Sequence, residues 1–419
     1  MKSTSRIAIG TALALAATSF AFAPPALAQK KKKGKDAAVA VPAGPQLSKE
    51  ERAAILPLDA AVTAKDWAAA AAALPAAEAG ATGLDARYLV AARKLSIGLG
   101  TNNVALQADA IDAMLATGKA EPATLSQLYK NQGILASNAR NYPKAEAAYT
   151  KWVELNPNDP QAIVLLAEAK NSAGRGGEAV ALIDRAILAK KAAGQPVEES
   201  WYKRGLKLAY DGKIVPQSLK FARDLVAAYP TKPNWRDAIL IYSDVTKADI
   251  EGRVDAFRLM RASKALGGER DYLEFAELLE DRRLPGEAKA VLDEGVAVKM
   301  VDPNKANVRD LRKTMGDKIA EDRGSLASSE KKALGAATGT VALNTADGYM
   351  SYGEYAKAVP LYRAALQKGS IDANTANMRL GTALAMSGNK VEAETAFKAV
   401  TGPRAELAAY WLLWLSQSA

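Results

Sequence analysis

Four carboxylates, Glu274, Glu277, Glu280 and Asp281, crowd one short stretch at spacings that put them on neighbouring turns of a helix. Two carboxylates facing one cleft about 5–10 Å apart could cleave a glycan as acid and base or nucleophile, and such a row could also hold a weakly bound cation. One helix surface supplies no opposing wall, however, and rows of this kind are as a rule solvated faces. Composition removes most other chemistry. The 419 residues include no Cys and no His, which excludes a Ser–His–Asp triad, a thiol nucleophile, and a thiolate or imidazole zinc site. Gly174-Arg175-Gly176-Gly177 lacks the Lys-Ser/Thr ending of a phosphate-binding loop and reads as a turn between helices. No catalytic residue, metal site or cofactor is therefore expected.

Charge points in no clearer direction. The formal net charge is +10, from 56 basic and 46 acidic residues. Lys2 and Arg6 belong to a leader, and Lys30, Lys31, Lys32, Lys33 and Lys35 form one run; setting these seven aside leaves 49 basic against 46 acidic, about +3. No basic patch interleaved with aromatics is present, so nucleic acid is not an expected partner.

The elements that would position any site are helical. Apolar residues make up 49% of the chain but aromatics only 6%; Ala dominates the rest, which favours helix and close helix–helix approach. Residues 1–28 read as a secretory signal peptide: Lys2 and Arg6, an apolar stretch from Ile7 to Phe22, and the small-residue site Ala26-Leu27-Ala28. A membrane anchor is the rival reading, but Thr11, Thr18 and Ser19 interrupt a stretch already short of the roughly 20 residues a span needs. Export with cleavage after Ala28 implies a periplasmic location if the source is a Gram-negative bacterium. Residues 29–47 read as a Lys-rich tether, whose lysines could attract anionic headgroups. From Ser48, three residues before Glu51 in a capping box, the chain turns helical, with helices expected near 48–64, 66–79, 84–98 and 103–117.

Over 126–193 the small and large residues repeat. Gly133 and Ala167, Ala145 and Ala179, Tyr149 and Ile183, Trp152 and Ala186 are each 34 apart, the length of a helix–turn–helix unit that stacks on its neighbours to bury its apolar face. With Tyr129, Gly133, Ala145, Tyr149 and Pro157 at the customary places, the stretch resembles the tetratricopeptide repeat family. Trp201 and Gly205, then Tyr272, Ala276 and Ala288, then Tyr349, Gly353, Ala358 and Tyr362, then Gly381, Ala393 and Phe397 extend the likeness. The resemblance implies an all-α, TPR-like α-solenoid, a right-handed superhelix of helix–turn–helix repeats, with the helix near 404–417 as its C-terminal cap. Tyr410, Trp411 and Trp414 on that helix have a second reading as a docking surface. The organisation expected is an N-terminal lobe over 48–301, a polar degenerate repeat or connection at 302–337, and C-terminal repeats with the cap over 338–419.

In the family the first helix of each unit lines a concave face that holds partners. The matching positions are Gln127, Lys130, Ile134, Ser137, Gln161, Val164, Glu168, Asn171, Tyr202, Leu206, Tyr210 and Arg236. Their mixture of single charges with apolar and aromatic groups suits an extended or helical peptide. Lys130 stands where some members clamp a terminal carboxylate, but Ile134 and Leu165 replace the asparagines that clamp requires. The function expected is a non-catalytic scaffold or adaptor of the cell envelope. Its rivals are a membrane- or polysaccharide-associated factor attached through the lysine run, and a carboxylate-dependent glycan hydrolase.

Overall fold

A computed structural model describes residues 46–418; the leader and the lysine run lie outside the described residues. These form twenty α-helices and no strand. The chain divides after Gln195 into two compact units.

The first unit holds α1 (Lys49–Thr63), α2 (Trp67–Gly80), α3 (Leu84–Gly100), α4 (Val104–Thr117), α5 (Pro122–Asn138), α6 (Tyr142–Leu155), α7 (Pro160–Ser172) and α8 (Gly176–Ala192). The first four start and stop within two residues of their expected bounds. They pack as consecutive hairpins, α1 with α2 through α7 with α8, each hairpin also touching the next. At the start, Ser48 Oγ accepts from Glu51 N and Glu51 Oε2 accepts from Ser48 N, the expected capping box. Glu51 does more than cap. Its other oxygen accepts from Thr82 N, Thr82 Oγ1 and Gly83 N at 2.7–3.2 Å, which ties the start of α1 to the turn before α3. Hydrogen bonds from the Gly83 and Ser48 amides, and then the Thr82 hydroxyl, lower its pKa to about 2.

The second unit comprises α9 (Glu199–Asp211), α10 (Val215–Ala228), α11 (Lys232–Val245), α12 (Ile250–Ala262), α13 (Glu269–Asp281), α14 (Pro285–Ala297), α15 (Ala306–Gly335), α16 (Thr340–Ser351), α17 (Tyr355–Lys368), α18 (Ala373–Met386), α19 (Lys390–Lys398) and α20 (Ala405–Gln417). The polar stretch expected to be a degenerate repeat or a connection is mostly one helix of 30 residues, α15, packed on α14 and α16. Only Val308, Met315, Leu326 and Ala333 on it are buried. Their spacings of 7, 11 and 7 hold one narrow stripe against the neighbours.

One turn recurs in nine hairpins of the described residues. The first helix ends in a left-handed residue, and the amide of the next residue donates to a carbonyl five positions back: Asn103 to Gly98, Asn141 to Ala136, Ile214 to Ala209 (each 2.8 Å), Leu284 to Leu279 (2.9 Å). The left-handed residue is Gly at 174, 353 and 388, but Lys65, Asn102, Arg140, Lys213, Lys247 and Arg283 take it elsewhere. Within a hairpin the helices meet most closely at a small residue. A Cβ on Gly133 would lie 2.3 Å from the Tyr149 ring, on Gly205 2.5 Å from Phe221, and on Gly381 2.6 Å from Phe397. In all three the aromatic follows the glycine by 16 residues. The repeat is thus a spatial fact: the same pair of positions touches in hairpins far apart in sequence.

Candidate partner-binding faces

In the first unit the sequence-predicted face is carried by α5 and α7, and one contact joins the two helices across it. Lys130 Nζ lies 3.4 Å from Gln161 Oε1, linking the two helices, and 5.2 Å above the Trp152 ring. Gln127 Nε2 donates to Asn131 Oδ1 (3.0 Å), and Ser137 Oγ to the Tyr149 hydroxyl (3.4 Å). Burial foremost, with Glu168 adding to it, raises the Tyr149 pKa to about 12, so its hydroxyl keeps its proton at neutral pH. Gln161 and Asn171 are exposed; Gln127, Lys130, Ile134, Ser137 and Glu168 are half-buried. Val164 is 7% exposed and belongs to the core beneath this face, which corrects the expectation that it lines a groove.

The second unit departs further from expectation. Tyr202 and Leu206 are buried, with Tyr202 edge-on to Tyr229 at 6.3 Å, so they too contribute packing rather than surface. Tyr210 is exposed, and its hydroxyl donates to Asp244 Oδ2 at 2.7 Å. Arg236 is spent on a two-pronged pair with Asp271, Nε to Oδ2 at 2.6 Å and Nη2 to Oδ1 at 2.7 Å. Asp271 Oδ2 also accepts from Gly267 N at 2.8 Å. Burial opposes ionisation of Asp271, but Arg236 and the Gly267 amide outweigh it and hold the carboxyl below its usual range. Helices α5 and α7 of the first unit and α9 and α11 of the second therefore do not carry equivalent surfaces.

The acidic row does not converge on a cleft. Glu274 pairs with Arg253 at 2.5 Å, Glu280 faces Lys318 at 3.4 Å, and Glu277 and Asp281 are exposed. Among the described residues no group of three or more Asp or Glu gathers as a cation site. A cleft of about 550 Å³ lies among α2, α3 and α4, lined by Arg87, Lys94, Glu78, Val90, Ala91 and Ala113 among others; another of about 360 Å³ is bounded by residues of α13, α14 and α15, including Arg283, Lys318 and Glu321.

Sequence reasoning missed the most heavily charged interior in the molecule. Arg379 of α18 reaches Asp347 of α16 at 2.5 Å, Asp255 of α12 at 3.4 Å, and Glu251. Arg258 bonds Asp255 at 3.1 Å and Glu287 of α14 at 2.8 Å, and the Tyr362 hydroxyl donates to Asp347 at 2.6 Å. Asp255, Arg258, Glu287, Asp347 and Arg379 are each 7% exposed or less. Burial pushes the Asp347 carboxyl above its usual range despite Arg379. Asp255 and Asp347 are 92 positions apart and Asp255 and Arg379 124, so beyond the adjacent Asp255–Arg258 pair the cluster leaves no local pattern to find. The aromatics of α20 are likewise placed by the fold: Tyr410 and Trp411 are fully buried and Trp414 half-buried, which removes the first two from any docking surface.

No family model matches the sequence, and no curated protein does. Among solved structures, the chain aligns over 85% of its length with a structure of Naa15/Naa10 bound to HypK, at 11% identity and a TM-score of 0.43, spanning 58% of that chain. A tetratricopeptide repeat protein from Parabacteroides merdae aligns over 80% of this chain and all of its own, at 13% identity and a TM-score of 0.31. The TPR2AB domain of yeast Sti1, solved with an HSP90 peptide, aligns over 70% and 99%, at 14% identity and a TM-score of 0.26. The architecture itself rests on the recurring turn, the 16-residue glycine–aromatic contact and the 34-residue spacing: the chain is an all-α array of tetratricopeptide-like helical hairpins.

Proposed function

We propose that this protein is a non-catalytic scaffold of the cell envelope, exported by its leader and holding a partner polypeptide on the α5–α7 face of its first unit. The observation that carries the reading is the joined face itself, with Lys130 bridging to Gln161 across two first helices and Asn171 exposed at the far end of α7. Its amide, hydroxyl and ammonium groups can meet the backbone of an extended chain, and half-buried Ile134 can take an apolar side chain. The proteins with which the fold was compared include complexes with HypK and with an HSP90 peptide; here the partner is inferred from the face alone.

Crosslinked recovery from the native envelope tests this. A tagged chain is compared with a Gln161→Arg, Asn171→Arg variant, whose exposed positions tolerate the change. One defined polypeptide recovered with the parent and lost with the variant is the expected result. Equal recovery by both contradicts the reading, as does recovery of glycan or lipid alone.

A further inference from the structure

The cleft among α2, α3 and α4 lies where two large side chains of the repeat are replaced by alanine. The recurring turn sets the register: left-handed Asn102 between α3 and α4 corresponds to left-handed Arg140 between α5 and α6, 38 positions on. At that offset Ala91 of α3 corresponds to Tyr129 of α5, and Ala113 of α4 to Lys151 of α6. Aligned on the same turn, the next five first helices, α5, α7, α9, α11 and α13, carry Tyr129, Ile163, Tyr202, Arg236 and Tyr272 where α3 has Ala91. The space left open is about 550 Å³, within the range of about 300–1,000 Å³ of small-molecule sites.

Most polar groups of this cleft are already engaged. Helix α3 lines it with Leu84, Arg87, Val90, Ala91 and Lys94, a stripe at helical spacing, and Ala79, Ala113 and Ala116 line it from α2 and α4. The Thr82 hydroxyl donates to Glu51 Oε1 at 2.9 Å, and the Thr117 hydroxyl to Met114 O at 2.7 Å. Lys94 Nζ is shared by Glu78 at 3.1 Å and Asp109 at 3.4 Å. Arg87 stands seven residues before Lys94, about 10 Å away along the helix at roughly 1.5 Å per residue. It is exposed, and its Nε donates to Ala81 O at 3.3 Å, but among the described residues no carboxylate meets its guanidinium. A polypeptide laid here would leave its backbone amides unmatched, because the hydroxyls and the ammonium already have partners. A ligand with one anionic group and an apolar body meets what remains.

We propose that this cleft binds a single-chain carboxylate amphiphile, a fatty-acid-like molecule, with its carboxylate on the Arg87 guanidinium and its chain along Val90, Ala91 and Ala113. The site belongs to the first unit and rests neither on the α5–α7 face nor on the scaffold reading. Titration calorimetry of the full chain with decanoate, kept below its micelle concentration, tests it. One saturable site per chain is expected, with decanol bound at least about 10-fold more weakly. Arg87→Gln removes that preference for the acid over the alcohol. Ala91→Tyr, which copies α5, and Ala113→Leu, at an exposed position, each abolish binding while the thermal transition is kept; should Ala91→Tyr fail to fold, Ala113→Leu alone decides. Absence of saturable binding, equal affinity for decanol and decanoate, or decanoate binding that Ala113→Leu leaves unchanged overturns the proposal.

Discussion

Gly133→Ala is a small change with a large expected cost. An added Cβ would stand 2.3, 2.5 and 2.8 Å from Cε1, Cδ1 and Cζ of Tyr149, where carbon pairs settle at about 3.5–4.0 Å. Tyr149 is 2% exposed and touches Trp152 at 6.3 Å, so its ring has nowhere to retreat, and α5 must move from α6. Overpacking of this kind costs about 1–3 kcal/mol, and three ring atoms so near argue for the upper half of that range. Ala in place of Gly within a helix returns up to about 1 kcal/mol. The net is a loss of about 1–2 kcal/mol, or roughly a 5- to 30-fold faster amide exchange in α5 and α6. Exchange measured by mass spectrometry suits the question because a chain of two units need not unfold in one step. The decisive arm is the double variant. With Tyr149→Leu the ring is gone, and Gly133→Ala in that background is expected to be neutral or to stabilise by up to about 1 kcal/mol. If Gly133→Ala slows exchange with Tyr149 in place, the close approach and the repeat geometry built on it are wrong.

Three further variants probe other parts of the fold. Lys213 sits at φ 55° in a recurring turn, so Lys213→Gly should stabilise by up to about 1–2 kcal/mol where Gly usually weakens a protein; thermal denaturation checks the sign. Arg379→Met strands Asp347 and Asp255 in the interior and is expected to cost about 3–5 kcal/mol, read as loss of exchange protection in α12, α16 and α18. Glu51→Gln should matter only where the carboxylate is ionised in the folded state: the wild-type carboxyl drops from its ordinary 4.5 to about 2, so its contribution is complete above pH 4.5 and disappears as the pH falls toward 2. Paired denaturation curves of the two proteins at pH 7, 4 and 2.5 should converge in that order; a gap that stays constant with pH would contradict the role given to Glu51.

Much of the local architecture was legible before any coordinates. The capping box at Ser48 and Glu51, the first four helices and the small residues at 133 and 167 all follow rules that act within one or two turns or across one 34-residue unit. The hairpin turns were legible only in part, because Lys, Arg and Asn occupy left-handed positions where glycine is the usual signal; the backbone bond made there, not the residue type, is what recurs. Helix α15 was hidden by its polarity, with four buried residues in 30. Family register also misplaced Val164, Tyr202 and Leu206, since whether a first-helix position is open or covered depends on how the next helix packs. Least visible was the interior around Arg379 and Asp255, 124 residues apart, and the seat of α20, whose Glu406 meets Arg223 across 183. Such pairings are products of chain closure and carry no sequence period.

The scaffold reading turns on whether a polypeptide occupies the α5–α7 face in the cell. A photo-crosslinking amino acid at Gln161, compared with one at Val391, which is 78% exposed on α19, measures this directly. Adducts to one polypeptide of fixed mass from position 161, absent from position 391, are the expected result; adducts of the same mass and yield from both positions, or none from 161, would contradict it.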